Sequence, residues 1–405
     1  MDAVEDGATG GVSPSSKRLA EVQKGYTPFV EGDILWAKIT PCMENGKSCI
    51  ANNLVNGIGF GSTEFHVLRS RDGRLSQSFL WEFLNQETLR RVARYAFTGS
   101  AGHQRVPDSF LADLPFPLLS SNDQARLISR MGIARAERRA KLEEADALLA
   151  GLDDYLLATL SLTPPPKNER KVFAVQRSAI VGEARHDPGF HHPRYAEILR
   201  AFAASPFEKR RLGTISPNIV GGATPTKGSA ELYASEGIKF FRILNIKANE
   251  FDLSDLNYIK DEVHRGELNR SQLQENDVLM TITGRVGNAA VVTADILPAN
   301  INQHIVRLRV TADDVDPQYL SVYLNSSIGL AISNRGVTGG TRIALDYGTI
   351  RAITIPVPPP ELQAAIVTEA RRRREGAHRL RAEAEAGWLA VRRWFEEQLL
   401  GPAQP

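Results

Sequence analysis

The chain has 405 residues, 42% of them apolar and 24% charged, with a net charge of +2 and a pI near 8.5. This length predicts two to three domains that each bury a core without disulfide or metal support, and the charge permits contact with nucleic acid without arguing for it. No run of about 18 apolar residues occurs, and Met1-Asp2-Ala3-Val4-Glu5-Asp6 is acidic, so neither a membrane span nor a secretory leader is predicted and a cytoplasmic location is expected.

In chain order, the β-forming run from Asp33 to Thr40, set between Gly32 and Pro41, predicts a strand ending in a turn. The only cysteines, Cys42 and Cys49, have no histidine or second cysteine pair beside them, which argues against a zinc framework and for small buried side chains. Thr63–Leu68 is a second strand, following the glycine-laced stretch from Asn56 to Gly61. Ser78–Leu84 and Leu89–Tyr95 carry helical spacing. A loop from Thr98 to Pro107 then leads to the apolar segment Leu114–Leu118.

Ser121-Asn122-Asp123-Gln124 fits a capping box that opens a long helix. Within it Leu142, Ala145, Leu149, Leu152 and Leu156 recur at alternating steps of three and four, as along a coiled-coil seam. Pro164-Pro165-Pro166-Lys167-Asn168-Glu169-Arg170 reads as a stiff polar linker. His186, His191 and His192 with Asp187 read as an exposed loop in preference to a metal site.

Further strands are predicted near Ile238–Leu244, Asp277–Thr283, Ala289–Val292 and His304–Val310, then one helix from Pro317 to about Ile332. Pro359 and Pro360 suit the start of a second long helix, where Ala377, Leu380, Ala384, Gly387, Val391 and Trp394 repeat the seam rhythm and Ala384 and Gly387 leave room for leucines. Arg371-Arg372-Arg373-Arg374 reads as a solvated helix face.

The two halves repeat one another. Asp33-Ile34-Leu35 with Ile39-Thr40 matches Asp277-Val278-Leu279 with Ile282-Thr283, and Phe79-Leu80 with Leu84-Asn85 matches Tyr319-Leu320 with Leu324-Asn325. Later pairs hold a nearly constant offset, 338 − 98 = 240, 356 − 117 = 239 and 363 − 124 = 239. So long a period means two similar domains, each followed by a helix, and not a solenoid.

The expected fold is α+β: two similar mixed domains separated by two long antiparallel coiled-coil helices. The boundaries are 1–120 for the first domain, 121–162 for the first helix, 163–204 for a linker leading into the second domain, 205–358 for that domain and 359–400 for the second helix. At about 38 residues each helix would reach roughly 57 Å. Glu31 aligns with Glu275, so the first copy lacks a counterpart of Leu212–Asn245, for which a gene start assigned too late is the preferred explanation.

Catalytic patterns are missing from the sequence. Gly221-Gly222-Ala223-Thr224-Pro225 lacks the Lys-Ser/Thr of a phosphate loop, Asn-Pro-Pro-Tyr and His-Glu-x-x-His do not occur, and Ser100 has no nucleophile-elbow context. A binding surface is better supported. Lys38, Lys47, Arg69, Arg71, Arg74, Arg90, Arg91, Arg94 and Arg105 populate the first copy, and Arg242, Lys247, Arg285, Arg307, Arg309, Arg335 and Arg342 the second. Of these and their neighbours, the DNA-contacting candidates are the loop residues Lys38, Thr40, Lys47, Gln104 and Arg105, with Thr283, Arg285, Thr341 and Arg342 in the second copy, because Arg and Lys read guanine edges and Gln reads adenine. The partner-facing candidates are Leu142, Leu149, Leu152, Leu156, Leu380, Val391 and Trp394.

Three segments carry a family resemblance. They are Glu21-Val22-Gln23-Lys24-Gly25-Tyr26-Thr27-Pro28-Phe29, the stretch from Glu31 to Lys47 with Trp36-Ala37-Lys38-Ile39-Thr40-Pro41, and Gly59-Phe60-Gly61-Ser62-Thr63-Glu64-Phe65-His66-Val67-Leu68-Arg69. Together they resemble a recurrent target recognition domain of type I restriction-modification specificity subunits. Pro356-Val357-Pro358-Pro359-Pro360-Glu361-Leu362-Gln363 is similar to that family's junction into its spacer helix, and the likeness covers nearly the whole chain.

The resemblance implies a non-catalytic subunit whose two domains each read one half of a bipartite site in double-stranded DNA. It implies spacer helices that dock two adenine methyltransferase subunits, joined by a restriction and motor subunit, with S-adenosylmethionine, ATP and Mg²⁺ on those partners and no cofactor on this chain. The competing expectations are a coiled-coil scaffold that never meets DNA and a remnant of a fused restriction-methylation enzyme.

Overall fold

The structure is a computed structural model that describes residues 1–71, 73–100, 102–165, 171–181, 185–225, 232–339 and 343–400. The chain divides into two units, Met1–Asp146 with Ala377–Pro405, and Ala147–Gly376. The division cuts both long helices, Ser121–Thr159 and Pro360–Leu400, so each unit owns one copy and a section of both. None of the described helices is long and apolar enough to cross a membrane.

In the first unit an antiparallel sheet has the order Ser48–Ile50, Ile34–Ala37, Phe65–Leu68. Ile34, Leu35, Trp36 and Ala37 are all buried, as expected of a central strand covered on both faces. Thr27–Val30 pairs with Ile58–Gly61 in a separate ribbon, and Gly59 is needed there, since a Cβ would stand 2.2 Å from the Phe29 ring. Helices Gln77–Leu84 and Glu87–Tyr95 pack on the sheet, where the Trp36 indole donates to the carbonyl of Leu84 at 3.2 Å. Burial pushes the Cys49 thiol up to about 11, so it sits as an inert apolar group.

The second unit repeats this sheet with one more strand, in the order Ala289–Val291, Val278–Thr281, Ile305–Leu308, Ile219–Gly221. It adds a second four-stranded sheet containing Ile238–Phe241 and Asn257–Ile259, and a ribbon of Glu208–Arg211 with Thr354–Val357. Leu114–Leu118 aligns with that last strand yet is not a strand, because the first copy, among the described residues, has no counterpart of Glu208–Arg211 to pair with. Gly222 follows the edge strand where a Cβ would lie 2.0 Å from the Ile301 carbonyl, so the Gly221-Gly222 pair is explained by packing.

Several expectations are corrected. The single helix from Pro317 to Ile332 is two, Pro317–Leu324 and Ser327–Arg335, because Ser326 caps the second by accepting from the Gly329 N–H at 3.0 Å. The segment around the histidines is not merely linker. His192 caps helix Pro193–Ala204, which buries Tyr195 and Phe202, and His191 contacts the Arg185 carbonyl at 2.7 Å. Among the described residues no cluster suited to a metal ion is found.

The first long helix is capped one residue earlier than expected: Ser120 Oγ accepts from the Asp123 N–H at 3.2 Å. Gln124 instead accepts from the Ser76 N–H at 2.8 Å and donates to the Arg74 and Leu119 carbonyls. Gln363 makes the same clamp in the second unit, accepting from Asp316 N–H at 2.9 Å and donating to the carbonyls of Asp314 and Pro358.

The helix sections pair antiparallel within each unit. In the first, Leu127, Met131 and Ala134 meet Trp388 and Phe395, followed by the ion pairs Arg138–Glu385, Lys141–Glu383 and Arg381–Asp146. In the second, Gly376 lies against Leu148, and the Arg373 guanidinium reaches the Leu148 carbonyl. Leu152 and Leu156 are buried, Leu142, Leu149, Leu380 and Val391 are half-buried, and half-buried Trp394 lies under Arg130 at 4.0 Å. Gly387 faces open space; Trp388 takes the seam place, since the rhythm after Ala384 steps by four.

Candidate nucleic-acid interface

In each unit a loop returning from the helices is stitched to the end of the central strand. In the first, Arg105 bridges both Ile39 and Thr98, Thr40 N–H donates to the Gln104 carbonyl at 3.0 Å, and Val106 N–H to the Lys38 carbonyl at 2.9 Å. In the second, Ala344 bridges both Thr283 and Thr338, Gly284 N–H donates to the Ile343 carbonyl at 3.3 Å, and Leu345 N–H to the Ile282 carbonyl at 2.9 Å. Lys38 N–H meets the Glu64 carbonyl just as Ile282 N–H meets that of His304, at 2.9 and 3.0 Å.

These bonds reset the alignment of the loops. Thr283 corresponds to Ile39 and Thr40 to Gly284, so the two threonines that look paired in sequence are one residue out of register. In a strand that places them on opposite faces. Arg105 corresponds to Ala344 and not to Arg342. Thr341 and Arg342 lie outside the described residues.

Below both loops sits a matching ion pair built on a buried aspartate. The Asp33 carboxylate accepts from Arg69 at 2.6 and 2.8 Å and from the Val30 N–H at 2.8 Å, and Asp277 accepts from Arg309 at 2.8 Å twice and from the Gln274 N–H at 2.7 Å. Burial pushes the Asp33 carboxyl up, but the bonds from Arg69 and Val30 outweigh it and hold it below its ordinary value. These aspartates, 0% and 1% exposed, fix where each central strand begins.

Much of the anticipated basic population is neutralised within its own unit. Arg94 pairs with Glu44, Arg91 with Glu87, Arg242 with Asp255 and Lys247 with Asp252. Arg105 is held as a fork by Glu64, at 2.8 and 2.6 Å, and also donates to the His103 carbonyl at 2.8 Å. The hydrogen bond from Arg105 holds the Glu64 carboxyl below its usual range. Thr40 is bonded to Glu44, and Lys47 reaches the Met1 carbonyl at 3.4 Å. Thr283 Oγ1 meets His304 Nδ1 at 2.9 Å, whereas Arg285 is exposed with no ion pair among the described residues. Lys38, Thr40, Gln104 and Arg105 therefore come together, Lys47 sits at the base of the following hairpin, and Glu64 and His304 are members that the sequence reading did not single out.

Known proteins resemble this chain in the second copy and along most of its length. The type I restriction modification DNA specificity domain matches residues 204–368, which is the second copy from the end of helix Pro193–Ala204 into the second long helix. The EcoEI specificity subunit of Escherichia coli is 26% identical over 419 aligned positions, covering 87% of this chain and 69% of that protein. Residues 204–368 thus match a type I DNA specificity domain, and the chain as a whole is similar to the type I restriction-modification specificity subunits. The EcoAI specificity subunit is 26% identical over 76% of the chain, and the EcoBI specificity subunit 30% over 57%, both from Escherichia coli. The chain spans 62% and 48% of those two relatives' own lengths. In fold it resembles a chain from a structure described for complex assembly and conformational transition of the type I R-M system, with a TM-score of 0.57, 18% identity and coverage of 98% of this chain and 88% of that one. The matched description, a DNA specificity domain, applies to the second copy.

Proposed function

We propose that this specificity subunit reads a split site in double-stranded DNA, one half with each copy, and carries out no catalysis itself. Its long helices dock two adenine methyltransferase subunits, and a restriction and motor subunit joins that assembly. S-adenosylmethionine, ATP and Mg²⁺ belong to those partners. The reading residues are drawn from Lys38, Thr40, Lys47, Gln104 and Arg105 for one half-site and from Thr283, Arg285, Thr341 and Arg342 for the other. The domain limits given from sequence stand as part of this reading.

One observation carries it. The chain builds the same strand-end loop twice, backbone bond for backbone bond, and hangs different side chains on it. A conserved frame with exchanged polar groups is what reading two different base sequences requires, since phosphate contacts position a protein and base-edge contacts specify. The test is footprinting of the complex with its methyltransferase: two short protected segments flanking an unprotected gap are expected, and one continuous footprint, or none on any DNA, refutes the proposal. The internal pairing of so many arginines favours the scaffold reading, which predicts no change in the salt slope of DNA binding when Lys38, Arg105, Arg285 and Arg342 are changed to Ala.

A further inference from the structure

The matched backbone bonds make a position-by-position comparison of the two reading loops possible. Where the first copy has Lys38, Glu64 and Arg105, the second has Ile282, His304 and Ala344, because each member of a trio makes the same main-chain bonds as its counterpart. The first trio is ionic. Glu64 receives the Nε and Nη2 of Arg105 in parallel, and both side chains keep partial access to water, 24% exposed for Glu64 and 40% for Arg105. The guanidinium is thereby held in one plane at the edge of the loop.

The second trio is neutral where Arg105 would be, and its polar groups come from another direction. His304 Nδ1 meets Thr283 Oγ1 at 2.9 Å, its Nε2 lies 3.3 Å from the Gln303 amide, and Gln303 Oε1 bonds the Thr224 hydroxyl. His304 is thus held from both ring nitrogens, by neutral bonds where Arg105 is held by a charged fork. The chemistry presented differs: a planar cation with an acceptor behind it in one loop, an imidazole flanked by an amide and hydroxyls in the other.

We infer that Glu64 and His304 are equivalent specificity-determining positions, Glu64 by positioning the Arg105 fork for a base edge of the first half-site and His304 by positioning or joining the Thr283 and Gln303 groups for the second. The inference rests on the proposed DNA-reading role and goes beyond it, because it names which residue changes which half of the site. An arginine whose fork is already planar and fixed loses less freedom on meeting a guanine edge than a free one does. Removing its holder blurs the choice of base without removing the charge that attracts phosphate.

The experiment uses the full chain expressed with its methyltransferase subunit in a host lacking other adenine methylation, with the methylated motif read genome-wide. Glu64→Gln is expected to relax discrimination at a position of the first half-site by about tenfold, within the range of one bidentate base contact, and to leave the second half unchanged. His304→Ala is expected to do the reverse. Methylation of the unaltered motif by Glu64→Gln or His304→Ala, or a blurring of both halves together by either, overturns the inference. Should Glu64→Gln lose methylation altogether, Glu64→Asp decides: methylation of the unaltered motif supports positioning through the carboxylate, and continued loss counts against it. A wild-type complex that methylates no split motif refutes the underlying DNA-reading proposal instead, so the two failures are distinguishable.

Discussion

The two copies agree most closely around their buried Asp and Gln side chains and differ most where the loops meet solvent. The Gln124 and Gln363 clamps, 2% and 1% exposed, bond to matched backbone groups, and the Asp33–Arg69 and Asp277–Arg309 pairs repeat atom for atom. Around this common frame the second copy carries a second four-stranded sheet, an extra edge strand and the covering helix Pro193–Ala204, while the loops exchange Glu64 and Arg105 for His304 and Ala344. A buried polar group tolerates little change, because leaving any partner unsatisfied costs about 1–3 kcal/mol. A loop partly in water carries no such penalty and is free to diverge.

The sharpest way to break this comparison is through the aspartate pairs. Arg69→Ala should leave the Asp33 carboxylate, 0% exposed, without its ion partner at a cost of about 3 kcal/mol, and Arg309→Ala should cost less because Arg307 Nε stays 4.0 Å from the Asp277 carboxylate. Urea unfolding with amide exchange resolved by copy measures both, and equal costs would show that Arg307 does not stand in for Arg309. Next in size, Gln124→Leu and Gln363→Leu should each cost about 2 kcal/mol, and equally. A difference above roughly 1 kcal/mol would mean the clamps are alike in geometry only.

The smallest effect separates the loops by pH. Arg105 depresses the folded value of Glu64, so the pair contributes stability that is fully present above the unfolded carboxyl value, about 4.3, and is lost as pH falls through the lower folded value. The loop around Arg105 should therefore lose amide protection in acid before the loop around Ala344, which has no carboxylate at the matching position. Simultaneous loss in both loops would show that Glu64 does not hold its loop in place.

How much could be read beforehand follows from the kind of signal each feature leaves. Strand Ile34–Ala37 was legible because four consecutive buried positions sit between Gly32 and Pro41, and the long helices were legible because their apolar residues keep a helical period over many turns. The break between Leu324 and Ser327 was not, since Asn325 and Ser326 fit a helical pattern and only the cap shows that they end one. Gln124 looked like part of a capping box because local spacing cannot tell a bond to its own helix from one to Arg74, fifty residues earlier. The one-residue slip between Thr40 and Thr283 has the same origin: identical Ile-Thr pairs align by letter, whereas ladder bonds align by backbone.

Sequence alone determined that the chain is a duplication and that each copy precedes a long helix, because periodicity and repeated motifs are properties of order along the chain, and its motifs carried the resemblance to the specificity subunits. Only the tertiary structure decided which residues of one loop answer to which of the other, which arginines are already neutralised, and that Glu64 and His304 share a position. Those are relations between segments far apart in sequence, set by hydrogen bonds and burial that no local spacing encodes.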